Sequence, residues 1–163
     1  MNTFAKMGAK IGAIAAVSTA ALAAGTALAQ VAPAADHAAA EAAVAERIEK
    51  LEALGDIMDG QVKAMVMGRA DADPAVIEEM RVLADEIWPL FDVDTSSFDD
   101  IETQSRDNIW QSHDAFLDKA ATLDVTLVAL KEAAGSGDRR ALAMAARDVG
   151  NACGACHDAH KNE

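Results

Sequence analysis

The sequence predicts an all-α protein, an antiparallel four-helix bundle. Three observations carry that prediction. The chain is rich in Ala, Leu, Glu, Asp and Met, lacks Tyr, and shows none of the Val/Ile/Thr alternation of strands. Four segments repeat apolar residues at three- and four-residue steps. Two of these are long and three are joined by short connections, which favours antiparallel neighbours.

Taken in order, residues 1–29 read as a signal peptide rather than as part of the fold. Lys6 and Lys10 form a positive start, "IGAIAAVSTAALAAG" is an uncharged apolar run, and "ALA" at 27–29 offers small residues for cleavage before Gln30. The mature chain, 30–163, is then an exported domain, with no later run of the roughly 18 apolar residues a membrane span needs. The first helix covers roughly 37–68, with Val44, Ile48, Leu51, Gly55, Met58, Val62 and Met65/Val66 as its stripe and Gly68 closing it. The second covers roughly 74–90. Asp73 is its N-cap, Pro74 its first residue, and Ile77, Met80, Leu83/Ala84 and Ile87 its stripe, until Pro89 stops or bends it.

"FDVDTSSFDD" has no helical period and reads as a long loop running to about Arg106. The third helix, 106–134, places Ile109/Trp110, His113, Phe116/Leu117, Ala120, Leu123, Leu127 and Leu130 on one side. "GSGD" is a turn with an N-cap aspartate, and the fourth helix runs from about 139 to 161. Its inward residues are Leu142, Ala145/Ala146, Val149, Cys153 and Cys156.

Charge excludes some functions. Fourteen Lys and Arg against 27 Asp and Glu give −13, and loss of Lys6 and Lys10 with the leader takes this to −15. Nucleic acids and anionic membranes call for clustered Lys and Arg, so neither is expected as a partner. An acidic surface suits a cationic partner or simply keeps an exported protein in solution.

The chemistry concentrates in "NACGACHDAH", which holds both cysteines of the chain. On a helix, Cys153, Cys156 and His157 stand at i, i+3 and i+4 and share one face within about a 5.4 Å turn. A thioredoxin-like pair belongs beside a βαβ pattern, which is absent, and structural zinc wants four ligands. A disulfide across two residues closes too small a loop to stabilise much. Covalent haem attachment fits: each thiol adds to a vinyl group and His157 ligates the iron, the c-type signature.

With that motif at the end of a four-helix bundle, the mature chain resembles the cytochrome c′ family. Arg47, Leu51, Gly55 and Met58 stand at the spacings the family shows in its first helix. "ETQSRDNIW" resembles its stretch leading to a tryptophan, and "GDRRALAMAARDVGNACGACHDAHK" its last helix. Gln104 replaces a frequent arginine near the haem propionates, and His160 an aromatic residue. The resemblance implies one covalent haem c and places Leu51 against the far side of the iron. It makes Thr103 a propionate contact and implies a homodimer packed through the first two helices. Arg47 is a candidate propionate partner or, equally, half of a surface pair with an acid of its own helix.

The sixth iron position decides between gas binding and electron transfer. Leu51 cannot coordinate, which points to five-coordinate high-spin iron, and the resemblance implies selectivity for NO, and more weakly CO, over O₂. The alternative is a six-coordinate low-spin carrier serving a redox partner protein, with Met58, Met65, Met67, His37 or His113 as ligand. Met stripes at helical spacing are ordinarily core. No catalytic constellation is present, so an enzyme is not expected.

Overall fold

In the computed structural model, residues 31–162 are described; the expected signal peptide and its cleavage site lie outside them. The first helix begins at Asp36, whose side chain accepts from the Ala39 N–H at 2.9 Å. It runs as α1 (His37–Asp56), a π-helical turn (Ile57–Val62) and α2 (Lys63–Val66). Gly68, at φ 69°, turns the chain out, and a side chain there would collide with the Arg139 guanidinium.

α3 (Pro74–Ile87) is capped by Asp73, which accepts from the Ala75 N–H. The chain then tightens into a 3₁₀ turn (Trp88–Asp92) around Pro89. A short parallel pair follows, absent from the sequence reading: β1 (Ala32–Pro33) lies beside β2 (Val93–Asp94). Two-residue strands are too short to show an alternation pattern. The third predicted helix starts later and is broken. α4 (Asn108–Gln111) ends at Ser112, whose backbone leaves the helical region, and α5 (His113–Ser136) runs to Gly137 at φ 75°. α6 (Arg139–His160) is capped by Asp138, which accepts from the N–H groups of Arg140 and Ala141.

The long helices form a four-helix bundle around one core. α5 and α6 pack most extensively, α3 lies on α5, α1 on α3, and α2 against α6. None of the helices among the described residues is long and apolar enough to cross a membrane.

One correction concerns the first helix. Ile48 and Gly55, expected in its stripe, are exposed, whereas Arg47, Leu54 and Ile57 are buried. The buried line is Ala40, Val44, Arg47, Leu54, Ile57, Val62 and Met65. The π turn absorbs one extra residue between Ile57 and Val62, so Val62 rather than Gln61 continues it.

Candidate functional site

Cys153, Cys156 and His157 occupy the last two turns of α6 on one face, as the spacing predicts. Both thiols are free, half-buried and packed against the core. Burial pushes both thiols above the ordinary cysteine range. A dithiol exchanger needs the reverse, a thiolate stabilised by its surroundings. His157 is exposed, and desolvation together with Lys161 pushes its pKa down, which favours the neutral imidazole that binds metals.

The end of α6 is strapped by residues 104–108. The Arg106 N–H donates to the His160 carbonyl at 2.9 Å, and its guanidinium donates to the carbonyls of Asp158 and Ala159. The Asn108 amide donates to the Ala159 carbonyl at 2.9 Å and its oxygen meets His160 Nδ1 at 3.1 Å. These contacts satisfy carbonyls that a helix C-terminus otherwise leaves open. Gln104, Arg106, His157, Asp158, Lys161 and Asn162 line an open cleft of about 380 Å³ there.

α1 reaches the same end of the bundle through Arg47. Arg47 is only 2% exposed, and its guanidinium lies 4.9 Å from the Phe91 ring centre and 5.2 Å from that of Trp110. It donates from Nε to the Leu90 carbonyl, from Nη1 to Thr95 Oγ1 and from Nη2 to the Val93 carbonyl. Burial pushes it down to about 10, so it stays charged at neutral pH. A surface acid of α1, one of the two partners expected of it, is not the one observed: Arg47 ties α1 to the segment that follows α3. Only the family's spacing singles it out in the sequence, because its partners here are mostly backbone carbonyls of a distant loop.

Leu51 sits on the buried line of α1, between Arg47 and Leu54, yet is 38% exposed. With Ile48, 42% exposed and one turn before it, Leu51 makes an open apolar face on α1. α1 and the attachment end of α6 are not among the closely packed helix pairs. Thr103 is half-buried, and its hydroxyl accepts from the Ser105 N–H at 3.2 Å.

The other expected iron ligands are distributed elsewhere. His37 is on the surface, paired with Asp100 at 2.9 Å and Glu41 at 3.6 Å. Met65 is buried, its sulfur 3.5 Å from the Asp73 N–H at the opposite end of the bundle. Met67 is 50% exposed, and Met58 packs on the core within the π turn. His113 is engaged through Nε2 with Asp92 at 3.2 Å, while its Nδ1 is buried without a partner. Trp88 and Trp110 donate from their indole N–H to Asp124 and to the Phe91 carbonyl, which makes both packing residues as expected. Together, two half-buried free thiols, an exposed imidazole one position on and an open apolar face on α1 fit a covalently held haem.

Comparison with known proteins agrees. A family model described as Cytochrome C' matches residues 42–161. A cytochrome c' of Alcaligenes xylosoxydans xylosoxydans is 32% identical over 108 residues, covering 64% of this chain and 81% of the relative. Among solved structures, the nitric oxide complex of a cytochrome c prime variant from Alcaligenes xylosoxidans gives a TM-score of 0.65 at 28% identity, over 78% of this chain and 100% of the other. A ferrous variant of the same protein with bound NO gives 0.67 at 30% identity, over 78% and 99%.

Proposed function

The chain belongs to the cytochrome c′ family, which carries one covalent haem c, and from that premise we propose that it is a periplasmic haem protein with five-coordinate iron. Its ligand is NO, and more weakly CO, in preference to O₂. Cys153 and Cys156 form the thioethers and His157 is the axial ligand. When bound, the haem supplies an iron with one coordination position free for a small molecule.

The observation that carries this reading is Leu51, the open position in an otherwise buried stripe. Its side chain has no lone pair for iron and no hydrogen-bond donor for bound O₂, and its bulk crowds a ligand. The placement of Met65 and Met67 at the other end of the bundle, and of His37 in a surface pair, supports an open sixth position. The relatives solved with NO support the choice of gas. Ile48 and Val82, exposed on α1 and α3, support a homodimer packed through those helices, for which a solution mass twice that of the chain is the check.

The test is optical spectroscopy of the haem-loaded protein, oxidised and reduced, with and without NO. High-spin spectra that change on NO addition are expected, and Leu51→Met should convert them to low-spin and suppress NO binding. Low-spin spectra in the unaltered protein would instead assign it as an electron carrier with a sixth protein ligand.

A further inference from the structure

An α-helix leaves the carbonyls of its last turn without partners inside it, and the last turn of α6 begins with His157. In α6 all four carbonyls from His157 to His160 are satisfied. The His157 carbonyl accepts from the Lys161 N–H at 2.9 Å, and the His160 carbonyl from the Arg106 N–H at 2.9 Å. The Asp158 carbonyl accepts from Arg106 Nη1 at 3.0 Å, and the Ala159 carbonyl from Asn108 Nδ2 at 2.9 Å. The helix does not close on the left-handed residue common at such ends. Lys161 is extended, at φ −111° and ψ 134°, and pairs antiparallel with Ser105. The strap stands in for the cap, and its guanidinium suits the negative end of a helix.

That turn carries a side chain with little support of its own. Cys153 and Cys156 pack against the core, whereas His157 is exposed. With Arg106, Gln104, Lys161 and Asn162 it borders the open cleft of about 380 Å³. An exposed ring beside open space takes its direction from the backbone beneath it. Thioethers at Cys153 and Cys156 would hold a haem however this turn moved. A coordinate bond from an imidazole instead depends on the groups around the ligand that fix its orientation.

We propose that Arg106 is a positioning residue for His157: by clamping the last turn of α6, it sets the strength of the bond between that imidazole and the haem iron. Asn108 is the second arm of the clamp. This rests on the haem-protein reading above and adds to it two residues about 50 positions upstream of the attachment motif.

Two readouts on the haem-loaded protein test it. One is the iron–histidine stretching band in resonance Raman spectra of the reduced form. The other is hydrogen exchange of the Lys161 amide, whose bond to the His157 carbonyl reports on the turn directly. Arg106→Ala should lower the band frequency and speed that exchange roughly tenfold, the worth of about one hydrogen bond. Arg106→Lys, whose ammonium still reaches a carbonyl, should recover most of both. Asn108→Ala removes a donor without changing charge, and should move the band the same way. An unmoved band or unchanged exchange in R106A overturns the proposal and leaves the haem reading intact. A band that moves in R106A but not in N108A overturns it too, assigning the effect to charge in the cleft. An unaltered protein that is low-spin lacks the band and defeats the five-coordinate reading. Exchange at Lys161 then decides: faster in R106A and recovered in R106K sustains the clamp, and no change overturns it.

Discussion

The two ends of the bundle are built from different materials. At the end where α5 turns into α6, the interior is hydrocarbon: Leu127 and Leu130 are fully buried, with Ala134, Leu142 and Ala146 around them. At the other end, where α6 finishes, the interior holds Arg47, Thr95 and His160, which are the buried polar residues of the described chain. Phe91, Trp110 and Phe116 interleave with them. An apolar core needs only shape, whereas a polar one needs every hydrogen bond completed, so the second end is costlier to build and more specific. It is also the end that carries Cys153, Cys156 and His157. The difference teaches that one half of this bundle supplies stability and the other supplies a site.

Two truncations of similar expected cost separate these roles. Arg47→Ala strips a donor from the carbonyls of Leu90 and Val93 and from Thr95, and should cost about 3 kcal/mol. Leu127→Ala leaves a cavity in the apolar half and should also cost about 3 kcal/mol. In denaturant unfolding the two should look alike; in the haem spectrum only Arg47→Ala should differ from the unaltered protein. Equal spectral disturbance by both, or by neither, would erase the distinction between the ends.

A smaller effect sharpens the stability half. Asp138 caps α6 with two backbone N–H groups, so Asp138→Ala should lower stability by about 1 kcal/mol and leave gas binding unchanged. Thermal unfolding and an NO titration on one sample check both statements.

The smallest effect lies at the site end and depends on pH. The hydrogen bond to Asp100, aided by the charges of Asp100, Glu41 and Asp36, raises His37 above its ordinary 6.5. A raised folded-state pKa means that the stabilisation is fully present below 6.5 and fades as pH rises through the raised value. The group is exposed, so the effect is slight and salt-sensitive. His37→Ala should flatten this slope in unfolding midpoints measured across that range; an unchanged slope would show that the contact with Asp100 does not persist in solution.

What the sequence revealed was local. The caps at Asp73 and Asp138, the closing Gly68 and the shared helix of Cys153, Cys156 and His157 depend on residues a few positions apart, and all appear where the spacing puts them. What it concealed was long-range or out of phase. Arg47 reads as a propionate partner or a surface pair, and not as a tie to the segment after α3, because its carbonyl partners are over 40 positions away. The strap of Arg106 and Asn108 on α6 spans about 50 residues and follows no period. Ile48 reads as inward because it is apolar and its neighbour Arg47 is charged, yet it is Arg47 that turns into the core. Leu51 lay within the expected stripe, but only packing shows that it is left open.

The π turn has a consequence for how such a chain can change. Between Ile57 and Val62 the first helix already accommodates a length change, and the phases of its two halves are set separately on either side. Upstream, the wall residue at position 51 belongs to one phase; downstream, Val62 and Met65 belong to another. Substitutions around Leu51 need not disturb how the second half seats against α3 and α6. A lineage carrying this joint can vary the exposed face of one half of a helix while the other keeps the bundle assembled.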